Sequence, residues 1–183
     1  MRHLVYSFLL VLLFCQLNSQ TKFYTKNGTI GFVSETTFIT LKAINKSVVS
    51  FIDTTNGEVI FGVAMKAFNF KRPLAEEHFN ENYAETDIYP KAKFRGKILN
   101  FEKIKLKEKD VLNVMVEGDL TIHGVTKQIK KPGKIKLKKN KIYVDSEFIL
   151  HPEDFNIKIP TIVTEKIARD IKVKVDIVYK PYQ

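Results

Sequence analysis

Apolar and polar residues alternate along most of this chain. Val59, Phe61, Val63, Met65 and Ala67 share one parity, which places them on one face of an extended backbone. Ala92, Phe94, Gly96 and Ile98 repeat the pattern, with Lys91, Lys93, Arg95 and Lys97 opposite. Leu112, Val114, Val116, Gly118, Leu120 and Ile122 form a third face, and Ile142, Val144, Ser146, Phe148 and Leu150 a fourth. Ile171, Val173, Val175, Ile177 and Tyr179 form the last, against Lys172, Lys174 and Asp176. Shorter strands are predicted near Thr29–Ser34, Val48–Asp53, Glu102–Lys107 and Lys134–Lys138.

Turn residues separate these runs. Thr54–Gly57 reads TTNG, whose Asn-Gly pair favours a tight hairpin, and Lys138–Asn140 joins two further runs in the same way. Strands that are apolar on one face and charged on the other, at hairpin spacing, predict an all-β antiparallel sandwich or barrel. A barrel also removes exposed edges. Two segments break the alternation. Pro73 can open a helix, and Leu74, His78 and Phe79 follow at helical spacing, so a short helix is predicted within Pro73–Tyr83. Pro160–Arg169 reads as a long loop with a helical turn.

The first residues stand outside this pattern. Arg2, an apolar run from Leu4 to Cys15 and then small and polar residues up to Ser19 have the layout of a secretory signal peptide. The expected organisation is therefore a signal peptide over residues 1–19 and a single domain over 20–183, exported to the periplasm or secreted. The chain's one cysteine, Cys15, lies in the leader, which excludes disulfides and a catalytic cysteine from the remainder.

A formal charge of +10 invites a nucleic-acid partner. Export argues against one, and the aromatics lie on inward parities instead of interleaving with the lysines as stacking platforms would. Lys103–Lys109 and Lys134–Lys141 alternate Lys with Ile or Leu. In strands these lysines point outward, either as a solvated edge or as a basic rim that contacts an anionic headgroup or membrane surface.

Candidate chemistry is sparse. His78, His123 and His151 show no paired metal-ligand spacing, no GxSxG stretch is present, and the acidic pairs Glu76-Glu77 and Glu153-Asp154 fall in helix or turn segments. No catalytic set, metal site or cofactor is expected. His123 lies on the polar parity of Asp119 and Thr121 and is followed by Gly124. Three readings stay open for it: the end of a strand with its imidazole hydrogen-bonded across a turn that Gly124 permits, a ligand contact at a barrel mouth, or a haem or metal ligand.

Val116–Ile129, VEGDLTIHGVTKQI, resembles the signature of the YceI-like family. Phe68–Ile98, Ser146–Pro160 and Ile171–Tyr179 resemble other segments of that family in the same order. The resemblance implies an extended, lipocalin-like, eight-stranded antiparallel barrel, exported and without a defining catalytic set, whose lumen holds a polyisoprenoid or other amphiphile. Many relatives carry an Arg shortly before an Asp-Phe-Gly turn, whereas here His151–Asn156 reads HPEDFN.

The expected function is a non-enzymatic carrier that binds a lipid-like small molecule for transport, storage or sequestration. Its candidate lining is Phe61, Val63, Met65, Phe94, Ile98, Val114, Val116, Phe148, Val173 and Val175, with His123 and Gly124 as the motif turn. Small residues on these faces, Ala67, Ala92, Gly96, Gly118 and Ser146, are candidates for leaving space. An eight-stranded barrel is equally compatible with a lumen filled by side chains and with one small ligand. A filled barrel that binds a protein partner through its basic surface is therefore the alternative, with a haem or metal carrier behind it. The pattern leaves the oligomeric state open, a dimer included.

Overall fold

A computed structural model of the chain describes residues 21–104, 106–160 and 167–182. The proposed signal peptide lies outside these residues, as does most of the loop expected at Pro160–Arg169. Nine strands are present among them: β1 (Lys22–Glu35), β2 (Thr40–Asp53), β3 (Glu58–Ala64), β4 (Asn69–Phe70), β5 (Lys91–Ile98), β6 (Val111–Ile122), β7 (Val125–Lys138), β8 (Lys141–Leu150) and β9 (Ile171–Pro181). Every pair of neighbours is antiparallel, and β1 pairs with both β2 and β9. The ring therefore closes through eight strands, with the two-residue β4 added beside β2. The all-β barrel expected from the alternation is the observed fold.

Local chemistry accounts for the turns. His123 and Gly124 have φ of 50° and 74° and join Ile122 to its partner Val125. Lys139 and Asn140 do the same between Lys138 and Lys141, with φ of 49° and 54°. Two left-handed residues make the hairpin turn whose twist matches that of the strands. Pro73 starts the helix α1 (Pro73–His78), which continues as a wider turn over Phe79–Tyr83.

Three expectations on strand extent are corrected. Met65 and Ala67 do not continue β3: Met65–Ala67 is a 3-10 turn whose first N–H reaches Pro90 O at 3.0 Å. Ala67 thereby leaves the inward face. The described residues of Glu102–Lys107 form no strand either. Phe101–Lys103 is a 3-10 turn, and Ile104 and Leu106 pack onto the core as a plug. Alternating Lys and Ile or Leu suits an extended loop that lies over an apolar surface as well as it suits a strand. Conversely, β1, β2 and β7 are longer than the alternation indicates. Register shifts near Gly28 interrupt the period in β1, and Pro132 masks it in β7.

The two ends of the barrel differ. Thr54–Gly57, Leu99–Asp110 and Lys138–Asn140 gather at one end. Thr36–Ile39, the segment from Met65 to Pro90, the His123-Gly124 turn and Pro152–Phe155 gather at the other. Ile52, Ile135, Ile142, Ile177 and Tyr179 are fully buried at the first end. There the Tyr179 hydroxyl and Ser50 Oγ share a 2.8 Å hydrogen bond, and Ser50 Oγ donates to Ile60 O at 2.7 Å.

Candidate functional site

Burial falls steadily along the inward face of β9. Tyr179 and Ile177 are fully buried, Val175 and Val173 nearly so, and Ile171 only partly. Nothing covers the later side chains from within, because the half of the barrel toward the Met65–Pro90 segment is hollow. The cavity measures about 550 Å³, within the range of about 300–1,000 Å³ usual for ligand sites. Its wall is almost entirely carbon.

All ten residues of the candidate lining border this cavity: Phe61 and Val63 from β3, Met65 just after it, Phe94 and Ile98 from β5, Val114 and Val116 from β6, Phe148 from β8, and Val173 and Val175 from β9. The small residues behave differently from one another. Ala92 and Ser146 face the lumen. Gly96 and Gly118, paired across β5 and β6, do not open it. A Cβ on Gly96 would lie 2.6 Å from the Phe94 ring and 2.8 Å from Gly118 Cα. Gly96 lets the Phe94 ring lie over it, and a Cβ on Gly118 would meet the Gly96 and Arg95 backbone at 2.3 and 2.4 Å, so the pair serves close backbone approach and ring cover.

Sequence reasoning missed the aromatic wall at the open end. Phe32 on β1 meets Phe68, Phe70 and Phe79 with ring centroids 5.2, 5.7 and 5.5 Å apart. Three of these rings come from the β3–β5 connection, which α1 carries across the barrel end. The Glu76 carboxylate accepts Phe70 N–H at 2.9 Å and ties the helix to β4. No strand period extends over this connection, though its density of phenylalanines was a usable signal.

Lys131 was missed as well. It shares a face of β7 with Ile129, Gly133 and Ile135, and all four line the cavity. The β7–β8 ladder ends at Lys134 and Asp145, next to Pro132, which has no N–H to donate. Beyond that point side chains bridge the seam. Lys131 Nζ donates to Ile149 O at 2.8 Å and sits 5.4 Å from the Phe148 ring centroid, and Ser146 Oγ donates to Pro132 O at 2.6 Å.

His123 is not on the cavity wall. Its Nε2 is 2.5 Å from Glu85 Oε2 and its Nδ1 is 3.2 Å from Phe155 O, while its ring lies 4.3 Å from that of Tyr89. A Cβ on Gly124 would lie 2.8 Å from Tyr89. The motif turn therefore pins two other loops of the open end, joining the segment after α1 to the Pro152–Phe155 turn. Asn156 closes that second turn in the left-handed conformation, φ 58°, which asparagine tolerates better than most residues. His151 does reach the cavity, and its Nδ1 lies 3.1 Å from Asp170 Oδ1. Among the described residues no group of three or more His, Cys, Asp or Glu side chains could hold a metal.

The lysine runs lie at the plugged end. Lys136, Lys138 and Lys141 belong to the β7–β8 hairpin beside Ile142 and Tyr179, and Lys103 and Lys109 to the plug connection. They are remote from the hollow half.

A sequence model of the YceI-like domain matches residues 18–179. No curated protein matches the chain. Among solved structures, the chain resembles a polyisoprenoid binding domain from Saccharophagus degradans implicated in plant cell wall breakdown. The TM-score is 0.77 at 17% identity, over 90% of this chain and 100% of that one. It also resembles BcnA of Burkholderia cenocepacia, with a TM-score of 0.69 at 16% identity over 82% and 95% of the two chains. The YceI protein of Campylobacter jejuni gives 0.57 at 19% identity, over 75% and 81%. These likenesses establish a shared fold.

Proposed function

This chain belongs to the YceI-like family, and on that premise we propose that its lumen holds the tail of a long-chain amphiphile, polyisoprenoid or fatty-acid-like, without catalysing a reaction. The observation that carries the reading is the hollow half of the barrel: about 550 Å³ walled by phenylalanine and branched aliphatic side chains. A tail leaving water for such a wall gains about 0.8 kcal/mol per methylene. About 15 buried carbons then gain roughly 12 kcal/mol, against an association cost of about 4–15 kcal/mol. The gain grows with each buried methylene while most of the association cost does not, so binding should strengthen with tail length. Lys131, the cation on the inward face of β7, offers its remaining N–H groups to any polar group that enters with the tail.

On this reading the leader is removed after Ser19, and the barrel works outside the cytoplasm to transport, store or sequester its ligand. Ligand exchange requires a lipid source, and contact with an anionic membrane surface belongs to the same reading. The resemblance to the polyisoprenoid binding domain of Saccharophagus degradans supports the ligand class. The test is a titration with prenols of increasing chain length, repeated on Phe61→Asp and Val116→Asp. Affinity should rise with chain length and be lost in both variants. Chain-length independence, or full affinity in a folded variant, places the ligand outside the lumen.

A further inference from the structure

Among the described residues, the wall of the hollow half is thin beside α1. A groove on the outer surface runs between α1 and the ends of β1, β2 and β9, lined in part by Lys42, Lys71, Arg72 and Lys172. Leu41, Phe70, Arg72 and Ala75 line both this groove and the lumen. Only the side chains of α1, β4 and the start of β2 therefore separate the groove from the cavity.

The charges on this face are arranged for an anion. Lys42 and Lys172 flank Val33 in one row across three strands, and Lys71 and Arg72 stand just before α1. All four are exposed, and none makes an ion pair among the described residues. Glu35 is the carboxylate among the groove's lining residues.

Two apolar side chains stand out from the same rim. Phe38, at the tip of the β1–β2 hairpin, is 74% exposed, and Leu74, in the first turn of α1, is 62% exposed. Neither is a loose tip. The Thr36 side chain accepts N–H bonds from Phe38 and Ile39 at 3.3 and 3.1 Å, and Pro73 fixes the start of α1. Ile39, next to Phe38, already lines the lumen, as does Leu74.

We propose that this face docks on an anionic lipid bilayer, with Phe38 and Leu74 entering the headgroup–acyl boundary and Lys42, Lys71, Arg72 and Lys172 contacting the headgroups. The proposal rests on the lipid-carrier reading and gives it a direction: the tail passes between bilayer and lumen beside Leu41, Phe70 and Ala75 without crossing water. An exposed aromatic and an aliphatic side chain ringed by unpaired cations is the arrangement that binds anionic interfaces, through buried apolar area together with charge. An acidic protein would satisfy the cations but has no use for a rim that opens into an apolar cavity. The lysine runs at the plugged end are excluded from this role, because a bilayer bound there would face the closed end.

The test is flotation with vesicles of phosphatidylcholine alone and of phosphatidylcholine with about 30 mol% phosphatidylglycerol. The protein is purified after expression of the full chain, so that wild type and variants share one N-terminus. Wild type should float with the anionic vesicles and be released as salt rises from about 0.1 to about 0.5 M. Each cation near such a surface contributes about fivefold to partition, so Lys71→Glu with Arg72→Glu should lower it about 25-fold or more. Phe38→Asp with Leu74→Asp should lower it about tenfold or more. Both pairs are exposed, and circular dichroism should show an unchanged fold. Lys138→Glu with Lys139→Glu, at the plugged end, should change partition far less.

Uptake of cis-parinaric acid in the absence of vesicles separates the two readings. Vesicle binding that is lost in the rim variants supports docking even where this fatty acid is not taken up, an outcome that instead contradicts the carrier reading. Vesicle binding that survives both rim pairs, or that is lost only in the plugged-end pair, overturns the docking proposal. So does a concentration-dependent dimer that Phe38→Asp dissolves, or retention on immobilised polyglutamate, where no vesicle binding accompanies it.

Discussion

The two ends of this barrel are built on the same strands and the same alternation, yet one is solid and the other hollow. At the plugged end, Tyr179, Ile142 and Ile135 are fully buried on the neighbouring strands β9, β8 and β7, and Phe101, Ile104 and Leu106 pack against the core there. Phe101 covers Gly57 there so closely that a Cβ on that glycine would lie 2.6 Å from the Phe101 Cβ and 2.7 Å from its ring. At the open end, inward residues of comparable size, such as Phe32, Phe61 and Phe148, lie on the wall with their inner surfaces uncovered. Side-chain volume therefore does not decide whether a barrel of this size is filled. What decides it is whether a connection folds inward as a plug or spans the rim, as α1 does.

The comparison yields a ranked set of expectations. The largest effect belongs to the plug. Tyr179→Ala should cost about 3–5 kcal/mol in urea unfolding, the range for large aromatic truncations in filled cores. Phe148→Ala at the open end should cost well under half of that, because its ring is only partly buried whereas Tyr179, at the floor of the same cavity, is fully buried. Equal costs at the two positions would remove the distinction between the ends.

His123→Ala should come next, at about 1–3 kcal/mol, since Glu85 and Phe155 O lose their shared partner. The same variant should speed ligand release, because the two loops it unpins frame the mouth. A fall in stability with unchanged release would limit the turn to a structural role.

Alkaline pH separates the ends in another way. Burial raises the Tyr179 hydroxyl well above the ordinary tyrosine value of 10.0, with the Ser50 hydrogen bond partly opposing it. The unfolded chain therefore ionises first. The associated stability is fully present below pH 10.0 and is lost as pH rises through that value toward the raised folded one. Tyr179→Phe should flatten that part of the stability–pH curve, and an unchanged alkaline slope would mean that the plug admits water. The smallest effect expected is that of Lys131→Met, about 0.5–1.5 kcal/mol for one lost hydrogen bond at the β7–β8 seam. It should also favour wholly apolar ligands over those with a polar group.

The sequence was most legible where the backbone is regular. Period-two alternation placed the inward faces of β3, β5, β6, β8 and β9, and with them the lining, because side-chain direction in a strand follows from position alone. It failed where that rule lapses. Asn45 and Val48 are both fully buried although they have opposite parity, since β2 changes register between them. Lys130-Lys131-Pro132 hid the first half of β7 and the cation within the lumen. Gly96 and Gly118 read as space because what occupies it, the Phe94 ring at Gly96 and the facing backbone at Gly118, is set by the β5–β6 pairing. The α1 segment, which borders the mouth, is placed by side-chain contacts outside any strand, the local Glu76 bond to Phe70 N–H and the long-range Phe32 ring stack. Periodicity carries none of that information.

Native mass spectrometry of the gently purified protein, with lipid analysis of the released material, tests the open lumen most directly. A carrier should fly with one long-chain lipid per barrel, and Phe61→Asp should fly without it. A clean protein mass that takes up neither prenols nor fatty acids, in a chain shown to be folded, would contradict a lipid-holding lumen.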